Sequence, residues 1–138
     1  MNRPLLCLDL EGTLISNAVS QIPRPGLHEF LSTVGEMCDL LIYTSVSEER
    51  VTSIQSLLVA EGVVPEWFAD LAVMVSTGNL KPKSCCGRDR AFLLDDQPSV
   101  IVPGEESWWI AIPEYLPPYS ETDQAFKAVL DVISQRVL

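Results

Sequence analysis

Asp9-Leu10-Glu11-Gly12-Thr13 is the stretch that decides the predicted fold. It follows an apolar run, Leu5-Leu6-Cys7-Leu8, which is typical of a buried β-strand. The strand would therefore end in two carboxylates and a glycine turn. A carboxylate at the open end of a strand can attack a phosphoryl group, and a second one two residues later can transfer the proton. Whether Glu11 can perform this second task is the main question that the sequence raises.

Strand and helix patterns alternate through the rest of the chain. Strands are predicted at residues 4–10, 40–44, 71–75, 91–94 and 108–112. The first helix is predicted to begin at Pro25 and to stop at Gly35. The second would be capped by Ser45 with Glu48 and end at Gly62. Helical apolar stripes are formed by Leu27, Phe30, Leu31 and Val34, by Val51, Ile54, Leu57 and Leu58, and by Phe126, Val129, Leu130, Ile133 and Val137.

Apolar strands without alternation, separated by helices, indicate an α/β fold with a mainly parallel, five-stranded sheet covered on both faces. Ligands of such sheets bind beyond the carboxyl ends of the strands. The residues expected at that edge carry carboxylates, hydroxyls and a lysine, which suits phosphate and metal better than an apolar ligand. They are Asp9, Glu11, Thr44, Ser45, residues 76–81, Asp95 and Asp96.

The composition limits the classes of function. The chain has 138 residues, which suits a single domain over residues 1–138, and its net charge of −10 argues against nucleic-acid and anionic-membrane partners. No secretory signal and no run of the ~20 apolar residues that span a bilayer are present, so a cytoplasmic location is expected. The four cysteines are expected to be reduced, and with His28 as the single histidine a structural zinc site is not expected.

The residue types at the predicted edge match the requirements of phosphoryl transfer. Magnesium prefers hard oxygen ligands, which Asp9, the backbone carbonyl of residue 11 and either Asp95 or Asp96 could supply. Thr44 and the backbone amides near Ser45 could hold phosphate oxygens, as helix N-termini do. Lys81 would balance the carboxylates and contact the phosphate, although Lys83 is close enough in sequence to compete for that position.

At this point the motifs resemble a known family. Residues 9–14, Thr44, Lys81 and Asp95-Asp96 are similar to the four motifs of the haloacid dehalogenase superfamily. Further elements resemble its NIF-type branch, which includes the phosphatases of the RNA polymerase II C-terminal domain. These elements are Arg24-Pro25-Gly26 with Phe30-Leu31, Ile42-Tyr43-Thr44-Ser45, and Gly87-Arg88-Asp89 followed by residues 93–99. The resemblance extends over nearly the whole chain.

The resemblance implies a three-layer, Rossmann-like domain without a large cap, and a magnesium-dependent phosphatase. Asp9 would be the nucleophile and a metal ligand, and Glu11 would stand at the position of the general acid/base and lend its carbonyl to the metal. Thr44 would bind phosphate and Lys81 would stabilise the intermediate. Asp96 matches the direct metal ligand, with Asp95 as its neighbour. The substrate would be a phosphorylated small molecule or a phosphoprotein, and the oligomeric state is not indicated.

The chain departs from the family pattern at Glu11, where the phosphatases carry aspartate. The added methylene moves the carboxyl group by ~1.5 Å, and a misplacement of that size can cost ~100-fold in rate. Two alternatives therefore remain: a catalytically impaired module that binds phosphate and metal, or a phosphotransferase. The segment of about twenty residues before Lys81 also leaves little room for the strands that grip a peptide in the polymerase phosphatases.

Each motif residue also has an ordinary structural interpretation when it is taken alone. Asp9 and Glu11 could form a strand-end turn, Thr44 could cap a helix, and Lys81 could be a solvated surface charge. Asp95-Asp96 before Gln97-Pro98 could likewise be a turn. The phosphatase hypothesis requires that these residues meet at one edge of one sheet.

Overall fold

A computed structural model describes residues 3–138. Its centre is a five-stranded sheet in the order β3-β2-β1-β4-β5, and every neighbouring pair is parallel. The strands are β1 (Leu5–Leu8), β2 (Asp39–Thr44), β3 (Val73–Val75), β4 (Ala91–Asp95) and β5 (Trp109–Ala111). The predicted α/β class with a parallel sheet is confirmed, and β1 is the central strand.

Three α-helices pack against the same face of this sheet: α1 (Leu27–Met37), α2 (Glu48–Ala60) and α3 (Ala125–Arg136). Successive residues of a strand point to opposite faces. Leu6 and Leu8 of β1 belong to the cluster that holds the helices, whereas Leu5 and Cys7 belong to a second cluster around Trp108. Short 3₁₀ segments cover this second face, at Lys83–Cys86, Pro98–Val100 and Glu106–Trp108.

The strand order explains why the helices and the 3₁₀ segments lie on opposite faces of the sheet. The chain runs from β1 outward to β2 and β3, then returns across the sheet to β4 and β5. Because parallel crossovers are right-handed, reversal of direction along the sheet moves the connections to the opposite face. α1 and α2 therefore lie on one face, and the connections on either side of β4 lie on the other. The predicted three-layer arrangement is present, with 3₁₀ segments in place of helices in the thinner layer.

Two helix boundaries differ from the sequence prediction. Gly35 lies inside α1, which continues to Met37, and it does not end the helix. A Cβ at this glycine would lie 3.0 Å from Cζ2 of Trp67, so the missing side chain makes room for the indole ring. At the start of α2 the cap is Ser47, whose hydroxyl accepts from the backbone N–H of Arg50, and Ser45 lies outside the helix.

The buried stripe of α2 also differs from the prediction at one position. Leu57 is 43% exposed, whereas Gln55 is 3% exposed. The Gln55 amide donates hydrogen bonds to the carbonyl oxygens of Phe68 (2.8 Å) and Leu71 (3.3 Å), in the connection to β3. A polar side chain thus replaces the expected leucine because backbone carbonyls need a donor there.

None of the helices within residues 3–138 combines the length and the apolar character that a membrane span requires.

Candidate active site

The carboxyl ends of the strands meet around one polar cavity of about 420 Å³. Asp9 follows β1, Asp95 is the last residue of β4, and Asp96 follows it. Lys81 enters from the connection between β3 and β4. These residues line the cavity together with Glu11, Gly12, Ser16, Asn17, Ser45, Ser76, Gly78, Asn79, Gln97, Val100 and Glu114. The topology thus brings most of the predicted edge residues to one place.

Lys81 joins two of the carboxylates. Its ammonium donates to Oδ1 of Asp9 at 2.8 Å and to Oδ2 of Asp95 at 2.5 Å. The side chain is buried, and its backbone N–H is held by the carbonyl of Val100 at 2.7 Å. Lys83 begins the 3₁₀ segment Lys83–Cys86 and does not line the cavity. Of the two lysines considered, Lys81 is therefore the one that reaches the carboxylates.

Thr13 links Asp9 to the third carboxylate, Asp96. Its fully buried hydroxyl lies 2.8 Å from Oδ2 of Asp9 and 3.0 Å from Oδ1 of Asp96, so it can donate to either oxygen. Gln97 completes the arrangement, since its side-chain amide donates to Asp96 and its backbone N–H donates to Asp95. Sequence reasoning missed both residues, although Thr13 closes the opening motif and Gln97 follows the aspartate pair.

The buried carboxyl groups are electrostatically strained. Burial raises the pKa of Asp9 well above its ordinary value, against the attraction of Lys81, and the neighbouring Asp95 raises it further. Burial likewise raises the pKa of Asp95, again opposed by Lys81. Burial alone would lower the pKa of Lys81, but the two aspartates outweigh it and raise that pKa above the ordinary value. The lysine is therefore charged at neutral pH, and its single positive charge is shared by Asp9 and Asp95.

The carboxylates fit a metal ion. Asp9, Asp95 and Asp96 each offer an oxygen, and the three oxygens lie within 4.8 Å of one another. Hard oxygen donors of this kind suit Mg²⁺. A divalent cation would also supply the positive charge that Lys81 alone does not provide, because desolvated like charges are costly without a partner. The cluster can therefore hold a metal ion.

Gly12 permits the close approach of Asp96. Its φ of +75° lies in the left-handed region that favours glycine. A Cβ at this position would lie 2.6 Å from Oδ2 of Asp96 and 3.2 Å from Cγ of Glu114. The glycine of the opening motif is thus required both by the turn and by the carboxylate packed against it.

Glu11 lines the cavity, but its carboxylate is engaged by the backbone. Oε2 accepts a hydrogen bond from the N–H of Ala18 at 2.7 Å. The carbonyl oxygen of Ala18 in turn accepts from the guanidinium of Arg50 on α2, at 2.8 Å. Ala18 belongs to the loop 12–24 between β1 and α1, which we call the flap. The Glu11 side chain therefore joins the flap to the end of the central strand by a hydrogen bond.

Thr44 and Ser45 are placed differently from each other. Thr44 is buried at the end of β2, and its hydroxyl accepts from the backbone N–H of Val46 at 3.1 Å. It does not line the cavity, whereas the exposed Ser45 does. The structure thus brings Ser45 together with the lysine and the carboxylates and leaves Thr44 beneath the surface.

Arg24 is a buried residue that binds the turn after β1. Its guanidinium is 1% exposed, donates to both carboxylate oxygens of Asp123 at 2.8 and 3.1 Å, and reaches the carbonyl of Gly12 at 3.3 Å. It also lies 5.2 Å from the ring centre of Tyr115, whose backbone N–H donates to the same Gly12 carbonyl. The turn after β1 is therefore tied to the segment that leads into α3.

This combination of fold and site agrees with a comparison against known families. The family described as NIF, the NLI interacting factor-like phosphatases, matches residues 4–137. The chain belongs to this family. The match confirms the resemblance to the NIF-type branch of the haloacid dehalogenase superfamily and indicates a phosphatase. No curated protein gave a significant match to the chain.

Proposed function

We propose that the protein is a magnesium-dependent phosphatase that hydrolyses phosphate monoesters through a phosphoaspartyl intermediate on Asp9. The observation that carries the proposal is the position of Asp9. It stands at the end of the central strand, inside the polar cavity, bonded to Lys81 and within reach of two further carboxylates. Membership of the phosphatase family supports the same reaction.

The first step is a displacement at phosphorus. An Asp9 carboxylate oxygen forms a bond to phosphorus while the bond from phosphorus to the ester oxygen breaks, and the leaving oxygen takes up a proton from the Glu11 carboxyl group, which lines the same cavity. Water then attacks the acyl-phosphate and gives a proton back to Glu11, the new bond to Asp9 breaks, and inorganic phosphate leaves. The hydrogen bonds from Lys81 and Thr13 hold the Asp9 carboxylate in a fixed orientation for both steps.

Positive charge at the site would come from two sources. Lys81 contributes its ammonium, which the adjacent aspartates keep protonated. Mg²⁺ held by Asp9, Asp95 and Asp96, with the carbonyl of residue 11 as a further ligand, would offset the negative charge of the phosphoryl group. We propose that phosphate oxygens contact Lys81 and the Ser45 hydroxyl. Thr44 would contribute by fixing the turn that carries Ser45, through its bond to Val46.

Hydrolysis of an aryl phosphate with and without Mg²⁺ tests this proposal. We expect turnover that requires the metal and that is lost in Asp9→Asn. A matched control is Asp70→Asn, because Asp70 is an exposed aspartate outside the cavity. Trapping of the phosphorylated protein and mapping of the phosphate to Asp9 would identify the intermediate. No turnover by the wild type with Mg²⁺ present across pH 5–8 would contradict the proposal.

The bond between Glu11 and Ala18 favours a second candidate function. The hydrogen bond from Ala18 to Oε2 restrains the Glu11 carboxylate, and without proton transfer by Glu11 the site could bind phosphate and metal as a regulatory module without turnover. Glu11→Asp separates the two functions, since the shorter side chain cannot make the same contact with Ala18. A module would show binding without hydrolysis in the wild type and a gain of hydrolysis in Glu11→Asp. An enzyme adapted to Glu11 would show hydrolysis in the wild type and a loss in the variant.

A further inference from the structure

Two thiols that the proposed reaction does not use lie in contact beneath the active site. The Sγ atoms of Cys7 and Cys86 are 3.3 Å apart, although the residues are 79 positions apart in the chain. Cys7 is fully buried in β1, two residues before Asp9, whereas Cys86 is only partly buried at the end of the 3₁₀ segment Lys83–Cys86. The thiol of a partly buried residue thus touches one inside the central strand.

The surroundings determine which of the two sulfurs can move. Cys7 pairs with Leu41 of β2 on one side and Leu93 of β4 on the other, so its backbone is held by two ladders. The 3₁₀ segment that carries Cys86 is held by fewer bonds, among them the backbone N–H of Lys83 to the carboxylate of Glu105 at 3.0 Å. A covalent S–S bond measures ~2.05 Å. Its formation would therefore draw the 3₁₀ segment toward the sheet.

We propose that Cys86 is a site of oxidation by hydroperoxides and that Cys7 converts the oxidised sulfur into an intramolecular disulfide. The contact of 3.3 Å places the second thiol where it can react before a further oxidant molecule arrives. The order of the two steps follows from burial, because Cys86 is the partly exposed thiol of the pair and Cys7 is fully buried. The contact with Cys7 also lowers the pKa of the Cys86 thiol, against the effect of burial, and Lys83 lowers it further.

The chemistry balances with one hydroperoxide. The Cys86 sulfur attacks the peroxide, an S–O bond forms, the O–O bond breaks, and the leaving oxygen takes the thiol proton. The Cys7 sulfur then attacks the sulfenic sulfur, the S–S bond forms, and the S–O bond breaks to release water with the Cys7 proton. The two sulfurs give up two electrons, which reduce the peroxide to water or to water and an alcohol.

The disulfide would affect the active site through Pro82, which connects Lys81 to the 3₁₀ segment. Lys81 precedes Pro82, and Pro82 precedes the 3₁₀ segment that has to move. The carbonyl of Pro82 is held at 3.4 Å by the hydroxyl of Tyr43. Movement of this segment would displace Lys81 from Asp9 and Asp95. The oxidised protein should therefore lose activity reversibly, a consequence that rests on the proposed function.

The first test maps the cross-link without reference to activity. The reduced full chain is treated with hydrogen peroxide, free thiols are alkylated, and peptides are analysed by mass spectrometry under non-reducing conditions. We expect the peptide with Cys7 to be linked to the peptide with Cys86, and the link to disappear with dithiothreitol. It should persist in Cys85→Ser, the matched control at the exposed neighbouring thiol, and be lost in Cys86→Ser.

Other products would overturn the proposal. They are a bond between Cys85 and Cys86, disulfides only between separate molecules, or a sulfinic acid at Cys86 with Cys7 still free. A Cys7 cross-link that forms equally well in Cys86→Ser would also overturn it. The wild-type map decides the question even if a variant folds poorly.

The second test uses Mg²⁺-dependent hydrolysis of an aryl phosphate by the reduced and the oxidised protein. We expect oxidation to abolish activity in the wild type, dithiothreitol to restore it, and Cys86→Ser to keep its activity in peroxide. If the mapped disulfide forms and activity is unchanged, the coupling to Lys81 is wrong. If the reduced protein shows no turnover, the proposed function fails, and the cross-link map still decides the oxidation site.

Discussion

The absence of a Cβ atom at Gly12 determines where the carboxylate of Asp96 can lie. Asp96 occupies the space that a Cβ at residue 12 would need, at 2.6 Å from its Oδ2. The carboxylate is held in this space by Thr13 and by the Gln97 amide. The position of Asp96 in the carboxylate cluster therefore depends on the missing side chain of Gly12 as much as on the polar residues that bind it.

We predict that Gly12→Ala abolishes metal binding and lowers phosphatase activity by ~100-fold or more, because it displaces Asp96. Mg²⁺ titration by calorimetry and the aryl phosphate assay measure the two effects. Gly62→Ala is a matched control, since Gly62 has a similar φ of +72° and no atom within 4 Å of its missing Cβ. The control should lose ~1 kcal/mol of stability and keep its metal affinity. Equal losses of metal binding in both variants would refute the explanation that a Cβ at residue 12 displaces Asp96.

At the scale of elements, α2 carries a polar residue that the pattern of its sequence does not reveal. The spacing of Val51, Ile54 and Leu58 places position 55 on their side of the helix, but leucine at position 57 is the residue type expected inside. Gln55 is buried instead because its amide donates hydrogen bonds to the carbonyl oxygens of Phe68 and Leu71, which lie in the connection from α2 to β3. Side-chain periodicity cannot report a hydrogen-bond requirement that comes from another element.

We predict that Gln55→Leu lowers the free energy of unfolding by ~1–3 kcal/mol, because the carbonyl oxygen of Leu71 loses the bond from the amide and that of Phe68 keeps only the 3.4 Å bond from the N–H of Leu71. Leu57→Gln, at a position that is 43% exposed, should change it by no more than ~0.5 kcal/mol. Urea unfolding followed by circular dichroism compares them. The explanation fails if the variant at position 57 is the more destabilised one.

The pair formed by Arg24 and Asp123 joins the turn of the active site to the start of α3. The hydrogen bonds from Arg24 hold the pKa of Asp123 below its ordinary value. A carboxyl group whose pKa is lower in the folded state contributes stability above the ordinary value, and this contribution disappears as the pH falls through the lowered one.

We predict that Asp123→Asn is less stable than the wild type by ~1–2 kcal/mol at neutral pH, because Asp123 is partly exposed to water. The difference should begin to shrink near pH ~4, where the carboxyl of the unfolded chain becomes protonated, and disappear as the pH falls through the lowered pKa of the folded Asp123. Asp131→Asn, at an exposed position of α3, serves as the control. Thermal unfolding curves from pH 3 to pH 7 provide the comparison. A difference that stays constant over this range would exclude the proposed charge effect.

At the scale of the whole molecule, the buried carboxyl groups of the candidate active site lower the stability of the fold when they are ionised. Asp9 and Asp95 have raised pKa values because they are buried, and a net charge of −10 leaves few cations to compensate them. In the folded state these groups bind protons at pH values where the unfolded chain has lost them. Without metal, their contribution to stability is therefore present at low pH and is lost as the pH rises through the raised values.

We predict that the stabilisation by Mg²⁺ increases with pH above the ordinary carboxyl range, because the metal binds the ionised groups and releases their protons. The apparent affinity should rise by about tenfold per pH unit for each proton released. Calorimetry in buffers of different ionisation enthalpy counts these protons, and thermal unfolding with and without Mg²⁺ measures the shift. Asp9→Asn should release fewer protons. A shift that is independent of pH would contradict this account of the cluster.

The general architecture and most of the site residues could be predicted because they depend on local patterns. Apolar runs define β1 and its neighbours, and the positions beyond the predicted strand ends contain Asp9, Lys81, Asp95 and Asp96 among other residues. The family resemblance selected these four from that set. The burial of Thr44, the attachment of Glu11 to Ala18 and the contact of Cys7 with Cys86 could not be predicted. Each depends on segments that meet only after the chain has folded.

The central position of β1 has a consequence for the order in which the molecule can be made. β1 emerges from the ribosome before every other strand, yet one of its two neighbours, β4, is the fourth strand in the chain. The half-sheet β1–β2–β3 with α1 and α2 can assemble during synthesis, while the other edge of β1 waits for residues 91–95. Lys81, Asp95 and Asp96 are translated late as well. A nascent chain therefore carries Asp9 and Thr13 long before it has Lys81, the second side chain that donates to the Asp9 carboxylate.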